Sequence, residues 1–188
     1  MNALKKTPLH DAHVRLGAKM VEFGGWEMPI QYSSITEEHH AVRNGVGLFD
    51  VSHMGEVIIT GEESEKFINY LITNDVKLLR DNEIQYAMMC YENGGVVDDL
   101  LVYRKGVNHY LLIINAGNIK KDLDWIHQVA EETEMDINIS NESPITAEVA
   151  LQGPDAQKLL QEHIDIDLSQ MSFFTYADKI NLFGADCL

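Results

Sequence analysis

Two cysteines in 188 residues, Cys90 and Cys187, are too few and too far apart for a disulfide framework or a zinc site. Basic residues are scarce as well: fourteen Lys and Arg stand against thirty Asp and Glu, a formal net charge of −16. A field of that sign disfavours nonspecific contact with nucleic acid or an anionic membrane, so neither is expected as a partner. No apolar run reaches 18 residues, and the opening MNALKKTPLH has no apolar signal core. A soluble cytoplasmic protein with reduced thiols is the expectation. GxxxxGK[ST] is absent, which excludes a P-loop. Gly45 and Gly47 are followed by Asp50 where the dinucleotide fingerprint needs its third glycine. Eight histidines form no recognisable ligand set: HExxH is missing, and adjacent His39 and His40 diverge by about 100° on a helix. No metal site is expected. Nor does anything place Ser52, beside His53, on a nucleophile elbow.

What remains reads as a folded chain. Hydrophobic residues make up 45%, the acids are scattered, and aromatic and β-branched residues run throughout. A chain of this length can bury a real core as one domain, or as one domain with a small insertion. Its most telling stretch is NGGVVDDLLVYRKGVNHYLLIIN, from Asn93 to Asn115. Asp98 and Asp99 sit there inside a β-prone run of Val96, Val97, Leu100, Leu101, Val102 and Tyr103, where aspartate is depleted. Successive strand residues face opposite ways, so one of the two acids points inward. An ionised group in that position is costly without a partner. It is either a hydrogen-bonded structural residue or a group with chemical work.

The pattern of periods points to an α+β fold: hairpins of antiparallel sheet interspersed with single helices. Helices are expected over His10 to Ala18, over Thr36 to Arg43 with Thr36 as N-cap, and over Glu62 to Ile72. Strands are expected over Gly55 to Thr60 and Ile84 to Tyr91, with Asn93-Gly94-Gly95 as the following turn. A hairpin of Leu100 to Tyr103 and Tyr110 to Ile114 comes next. The clearest helix runs from Asn118 to Glu132, with Ile119, Leu123, Ile126 and Ala130 along one stripe. A strand over Ile145 to Leu151, a break at Gln152-Gly153-Pro154, a helix over Asp155 to His163 and a closing hairpin of Met171 to Tyr176 with Lys179 to Phe183 complete the reading. Subdomain boundaries are expected near residues 53 and 140, enclosing a β-rich lobe with the Asn118 helix packed across it.

Six ordered blocks carry a family resemblance. They are GAKMVEFGGWEMPIQY (Gly17 to Tyr32), GLFDVSHMGE (Gly47 to Glu56), FINYLITNDV (Phe67 to Val76), NGGVVDDLLVY (Asn93 to Tyr103), INAGNIKKDLDWI (Ile114 to Ile126) and ALQGPDAQ (Ala150 to Gln157). In this order they closely resemble the N-terminal half of the aminomethyltransferases of the glycine cleavage system, the T proteins. The resemblance implies the N-terminal part of a folate-binding fold. It also implies transfer of a one-carbon unit from the aminomethyl-lipoyl arm of the H protein to tetrahydrofolate, with release of ammonia. Asp99 matches the family's catalytic aspartate, a carboxylate able to stabilise developing positive charge or to accept a proton. Asp98 would be its outward neighbour. Met54, Tyr86, Tyr103 and Asn115 match folate-pocket positions: the first three as apolar or aromatic walls, Asn115 as donor and acceptor to the pterin edge. Lys120 and Lys121, off the apolar stripe, either only solubilise the surface, the favoured reading, or meet acidic groups of the H protein. Family members run to about twice this length, and the resemblance stops before their SRTGYTGEDG block. The chain is therefore expected to be a fragment, inactive alone. The alternative is a noncatalytic folate-binding or interaction module on the same fold.

Overall fold

The computed structural model of the chain describes residues 3–188. In order, the first elements are α1 (His10–Arg15), β1 (Lys19–Phe23), β2 (Trp26–Gln31), α2 (Ile35–Asn44), β3 (Gly47–Asp50) and β4 (Gly55–Thr60). Next come α3 (Ser64–Leu71), β5 (Ile84–Cys90), β6 (Val96–Gly106), β7 (His109–Ile114) and α4 (Ile119–Thr133). The chain closes with β8 (Asn138–Asn141), β9 (Val149–Gln152), α5 (Ala156–Gln161), β10 (Ile180–Leu182) and β11 (Ala185–Cys187). It is an α+β fold, divided into two compact units.

Of the described residues, the first unit comprises 3–53, Thr146–Gln170 and Asn181–Asp186. β1 and β2 form an antiparallel hairpin, Phe23 opposite Trp26, across Gly24 and Gly25 with φ of 57° and 88°. α2 begins one residue earlier than expected. Ser34 is its N-cap, the hydroxyl accepting from the Glu37 amide at 3.2 Å, while Glu38 accepts from the Tyr32 and Ser33 amides. Thr36 thus lies inside the helix. β3 pairs antiparallel with β9, from Gly47 opposite Gln152 to Asp50 opposite Val149. The strand expected from Ile145 shrinks to β9, and Ile145 itself is exposed. At Gly153, φ is +123° and a Cβ would fall 2.3 Å from the Gly45 carbonyl oxygen, so the Gln152-Gly153-Pro154 break requires glycine. His10 and His13 are buried with separate partners, His10 against Asp11 and Glu27, His13 against Tyr32 and Asp50. Among the described residues, no group of three or more His, Cys, Asp and Glu could hold a metal ion. No described helix is long and apolar enough to cross a membrane.

The second unit comprises Met54–Ile145, Met171–Ile180 and Cys187–Leu188. Its five strands run in the order β5-β6-β7-β4-β8, antiparallel at every step. The polar stretch at Asn138 is the edge strand β8, short and polar as sheet edges tend to be. Alternation sends Val57, Ile59, Ala87, Met89, Leu100, Val102, Tyr110, Leu112 and Ile114 into one core with Phe67, Ile68 and Leu71 of α3 and Ile126 and Val129 of α4. The apolar line of α4 is rotated from the expected stripe. Asp122, Ile126 and Val129 are its buried positions, and Ile119, Leu123 and Ala130 are only partly buried beside them. Met171 to Tyr176 is not a strand. It contributes one bridge, Thr175 opposite Glu83, and the closing hairpin is made by β10 and β11 instead.

Candidate functional site

The acid pair lies on β6, where the ladder to β5 is irregular. Met88 pairs with Asp99 and Met89 with Asp98, but Cys90 pairs with Val96, leaving Val97 as an extra residue. Such a bulge breaks the alternation. Val97 and Asp98 are consecutive yet both buried, after which Asp99 turns to the other face and Leu100 back to the core. Asp98 is therefore the inward acid, 6% exposed, and not the outward neighbour that the family resemblance suggested. It points to the face where α4 packs, because the bulge sets the phase of the strand.

Asp99 shares the second face of the sheet with Tyr86, Met88, Leu101 and Tyr103, and with Leu111 and Ile113 of β7 by register. Tyr86 and Met88 are largely exposed, Asp99, Leu101 and Tyr103 half-buried, and Leu111 and Ile113 buried. Glu56 of β4 lies in the row of Ile113 and Leu101 and is also buried. The Asp99 carboxylate has two side-chain donors. The Tyr86 hydroxyl donates to Oδ2 at 2.8 Å, and Asn115 Nδ2 approaches Oδ1 at 3.3 Å. The hydrogen bond to Asp99 also raises the Tyr86 phenol above its ordinary value, with the nearby carboxylate charges acting the same way.

Asn115 follows β7 directly. Its Nδ2 also donates to Asp98 Oδ1 at 3.1 Å and to the Asp99 backbone carbonyl at 3.0 Å. Carboxylates and carbonyls only accept, so this geometry fixes the amide with nitrogen toward the acids. Asn115 is thus not free to act as both donor and acceptor toward a ligand: its nitrogen is engaged, and Oδ1 is the group left to accept. Tyr103 meets Tyr176 in a tilted contact, ring centroids 5.4 Å apart, and the Tyr176 hydroxyl donates to the Arg104 carbonyl at 3.0 Å. Met54 is half-buried just before β4, and since Gly55 pairs with Ile114, Met54 and Asn115 flank one end of the same ladder. Of the five expected site residues, Tyr86, Asp99 and Asn115 are joined directly, Tyr103 shares their face, and Met54 stands at the ladder end.

Behind the pair lies Asp122, fully buried on α4. Its carboxyl faces that of Asp98, whose Oδ1 receives Asn115 Nδ2. Burial pushes Asp122 up to about 8, assisted by the bond to Asp98 and its charge and opposed by Lys121. For Asp98 burial works upward too, but the hydrogen bonds from Asp122, Asn115 and Asn118 outweigh it and hold the group below its ordinary value. Asp122 was missed in the sequence because an aspartate one turn into a helix reads as a solvated residue suiting the dipole. The signal available was its spacing, four and seven residues before Ile126 and Val129. Lys121 is likewise committed internally, its ammonium donating to the Val97 carbonyl, whereas Lys120 is exposed and paired with Asp124.

Known proteins resemble the chain in sequence and in fold. The family model described as the GCVT N-terminal domain matches residues 9–188. An aminomethyltransferase of Geobacillus sp. (strain WCH70) is 51% identical over 186 residues, covering 98% of this chain and 50% of that protein. One from Alkaliphilus oremlandii is 48% identical over 188 residues, covering 100% of this chain and 50% of its own length. The crystal structure of glycine cleavage system aminomethyltransferase T from Bartonella henselae superposes with a TM-score of 0.85 at 30% identity, over 92% of this chain and 46% of that one. The chain thus spans about half the length of the curated relatives it matches. On this match of sequence and fold, the chain belongs to the GCVT N-terminal domain family of the aminomethyltransferases.

Proposed function

We propose that this chain supplies the folate-facing, acid-bearing part of a tetrahydrofolate-dependent aminomethyltransferase of the glycine cleavage system. The donor is the aminomethyl group on the lipoyl arm of the H protein, the acceptor is tetrahydrofolate, ammonia is released, and the cytoplasm is the proposed location. The observation that carries this reading is the setting of Asp99, a half-buried carboxylate gripped by Tyr86 and Asn115 on a face with aromatic walls. The residues present suit a pterin. Asn115 Oδ1 can accept from a ring N–H or amino group, and Tyr86, Tyr103 and Met54 offer flat or apolar surface.

In this reading Asp99 works by charge. As the carbon–nitrogen bond of the donor breaks, positive charge develops on the transferred carbon, and a fixed carboxylate nearby stabilises it more than it stabilises the ground state. The same oxygen can hold a proton given up by the folate amine. Tyr86 and Asn115 keep the carboxylate in one rotamer, so little reorganisation accompanies the charge change.

The test is a pair of substitutions in the enzyme that carries this chain. Asp99→Asn preserves shape but removes the charge, so turnover should fall by roughly a hundredfold or more with a smaller change in folate affinity. Asp98→Asn should do much less to turnover, since its amide can still accept from Asn115 while donating to Asp122. Equal, small effects on turnover would overturn the role of Asp99. Folate binding with no ammonia release, in enzyme and variants alike, would favour the noncatalytic module.

A further inference from the structure

Asp122 takes no direct part in the chemistry above, yet it is among the largest fully buried side chains of the protein. Both its carboxyl oxygens, and Asp98 Oδ2, are buried without a matching N–H or O–H donor from any other residue. Two carboxyl groups in hydrogen-bond contact cannot both be ionised at low cost, and one shared proton satisfies the contact. The other oxygen of Asp98 already has its donor: Oδ1 accepts from Asn115 Nδ2, and that nitrogen also reaches the Asp99 carbonyl at 3.0 Å and Asp99 Oδ1 at 3.3 Å. A continuous chain of contacts therefore runs from the core side of α4 through the sheet to its second face.

We propose that Asp122 is a positioning residue for Asp99: as a carboxylic acid it donates to Asp98 Oδ2, fixes the Asp98 carboxylate, and through Asn115 holds the Asp99 carboxylate in place. This rests on the reading of Asp99 as the reacting carboxylate. The assignment of the proton to Asp122 follows burial, since Asp122 is the deeper of the two and Asp98 has Asn115 to stabilise its charge. The charged groups acting on Asp122 are Asp98 and Asp99 from β6 and Lys121 from its own helix, with Lys121 Nζ 3.9 Å from Asp122 Oδ1. Lys121 also donates to the Val97 carbonyl, so it is anchored beside the pair rather than free to neutralise it. Loss of the Asp122 proton leaves two buried carboxylates in contact. They separate, Asn115 follows Asp98, and Asp99 loses one of its two side-chain donors.

The experiment compares Asp122→Ala and Asp122→Asn in the enzyme that carries this chain, by kinetics across pH and by side-chain amide ¹H–¹⁵N resonances of Asn115. Asp122→Ala should shift both Asn115 amide protons and lower turnover roughly tenfold with the folate KM changed less than about twofold, the signature of a misplaced catalytic group. Asp122→Asn keeps a donor that does not titrate. It should restore the Asn115 resonances and most of the turnover, and remove the fall in turnover expected of the native enzyme near pH 8. Unmoved Asn115 resonances in folded Asp122→Ala would overturn the proposal, as would an alkaline fall that persists in Asp122→Asn. Should Asp122→Ala not fold, the Asp122→Asn profile decides alone. Full turnover in Asp99→Asn would strike at the role of Asp99, whereas the Asn115 resonances score the linkage independently.

Discussion

Tyr86 and Asp99 are diagonal neighbours across the β5–β6 ladder. Tyr86 stands opposite Leu101 and Asp99 opposite Met88, yet the Tyr86 hydroxyl reaches Asp99 Oδ2 at 2.8 Å. Diagonal partners lie within reach of a side chain as long as tyrosine. Tyr86 is therefore more than wall, since it supplies a donor to the Asp99 carboxylate.

Tyr86→Phe should keep the aromatic surface and remove that donor. A hydrogen bond to a charged group contributes about 1.5–3 kcal/mol, and less where water can replace it, as at this exposed residue. We expect turnover to fall about three- to tenfold, with unfolding free energy changed by less than about 1 kcal/mol. Steady-state kinetics and urea denaturation of the same preparation check it, and undiminished turnover would reduce Tyr86 to packing.

Asn115→Asp tests the other grip. The substitution exchanges a donor shared by Asp98 and Asp99 for a third acceptor, placing three carboxyl groups together beside Asp122. One of them must take up a proton or the cluster must open. Destabilisation by about 2–4 kcal/mol at pH 7 is expected, shrinking toward pH 5 as the added carboxyl protonates. Denaturation midpoints at the two pH values measure it, and equal losses at both would contradict it.

Ile126 tests the placement of α4. It is fully buried in the core of the second unit, on the line that also contains Asp122 and Val129. Ile126→Ala should cost about 2–5 kcal/mol, whereas the same truncation at the partly buried Leu123 should cost less. The reverse order would restore the stripe read from the sequence.

These residues also show how far the sequence could be read. Gly55–Thr60, the Asn93-Gly94-Gly95 turn and the helix after Asn118 were legible because period and turn chemistry agree there. The side taken by each acid was not. A single extra residue, Val97, shifts the phase of β6 and turns Asp98 inward, and a bulge leaves no mark on hydropathy. β8 was hidden for another reason: Asn138–Asn141 is an edge strand, held by backbone pairing to β4, with Ile139 as its one apolar residue against the core. The role of Asn115 depended on a bond between β7 and β6 that no local pattern encodes.

Asp98 and Asp122 act on stability in opposite directions with pH. Asp122 titrates near 8 in the folded unit against an ordinary value of 3.8, so between these values the folded state keeps a proton that the unfolded chain has lost. Its contribution is fully present below 3.8 and is lost as pH rises toward 8. Asp98, lowered in the fold, contributes stability present above 3.8 and lost as pH falls through its folded value. A difference of one bound proton gives a slope of about 1.4 kcal/mol per pH unit. Asp122→Asn removes the raised group while leaving Asp98 in place, so the variant should gain on the native protein by at least about 1 kcal/mol between pH 5 and pH 8. Urea unfolding of both proteins at half-unit intervals of pH measures this difference, in which contributions from the remaining carboxylates and histidines cancel. Parallel curves would mean that Asp122 is ionised throughout the range, and the proton between the two aspartates would have to be abandoned.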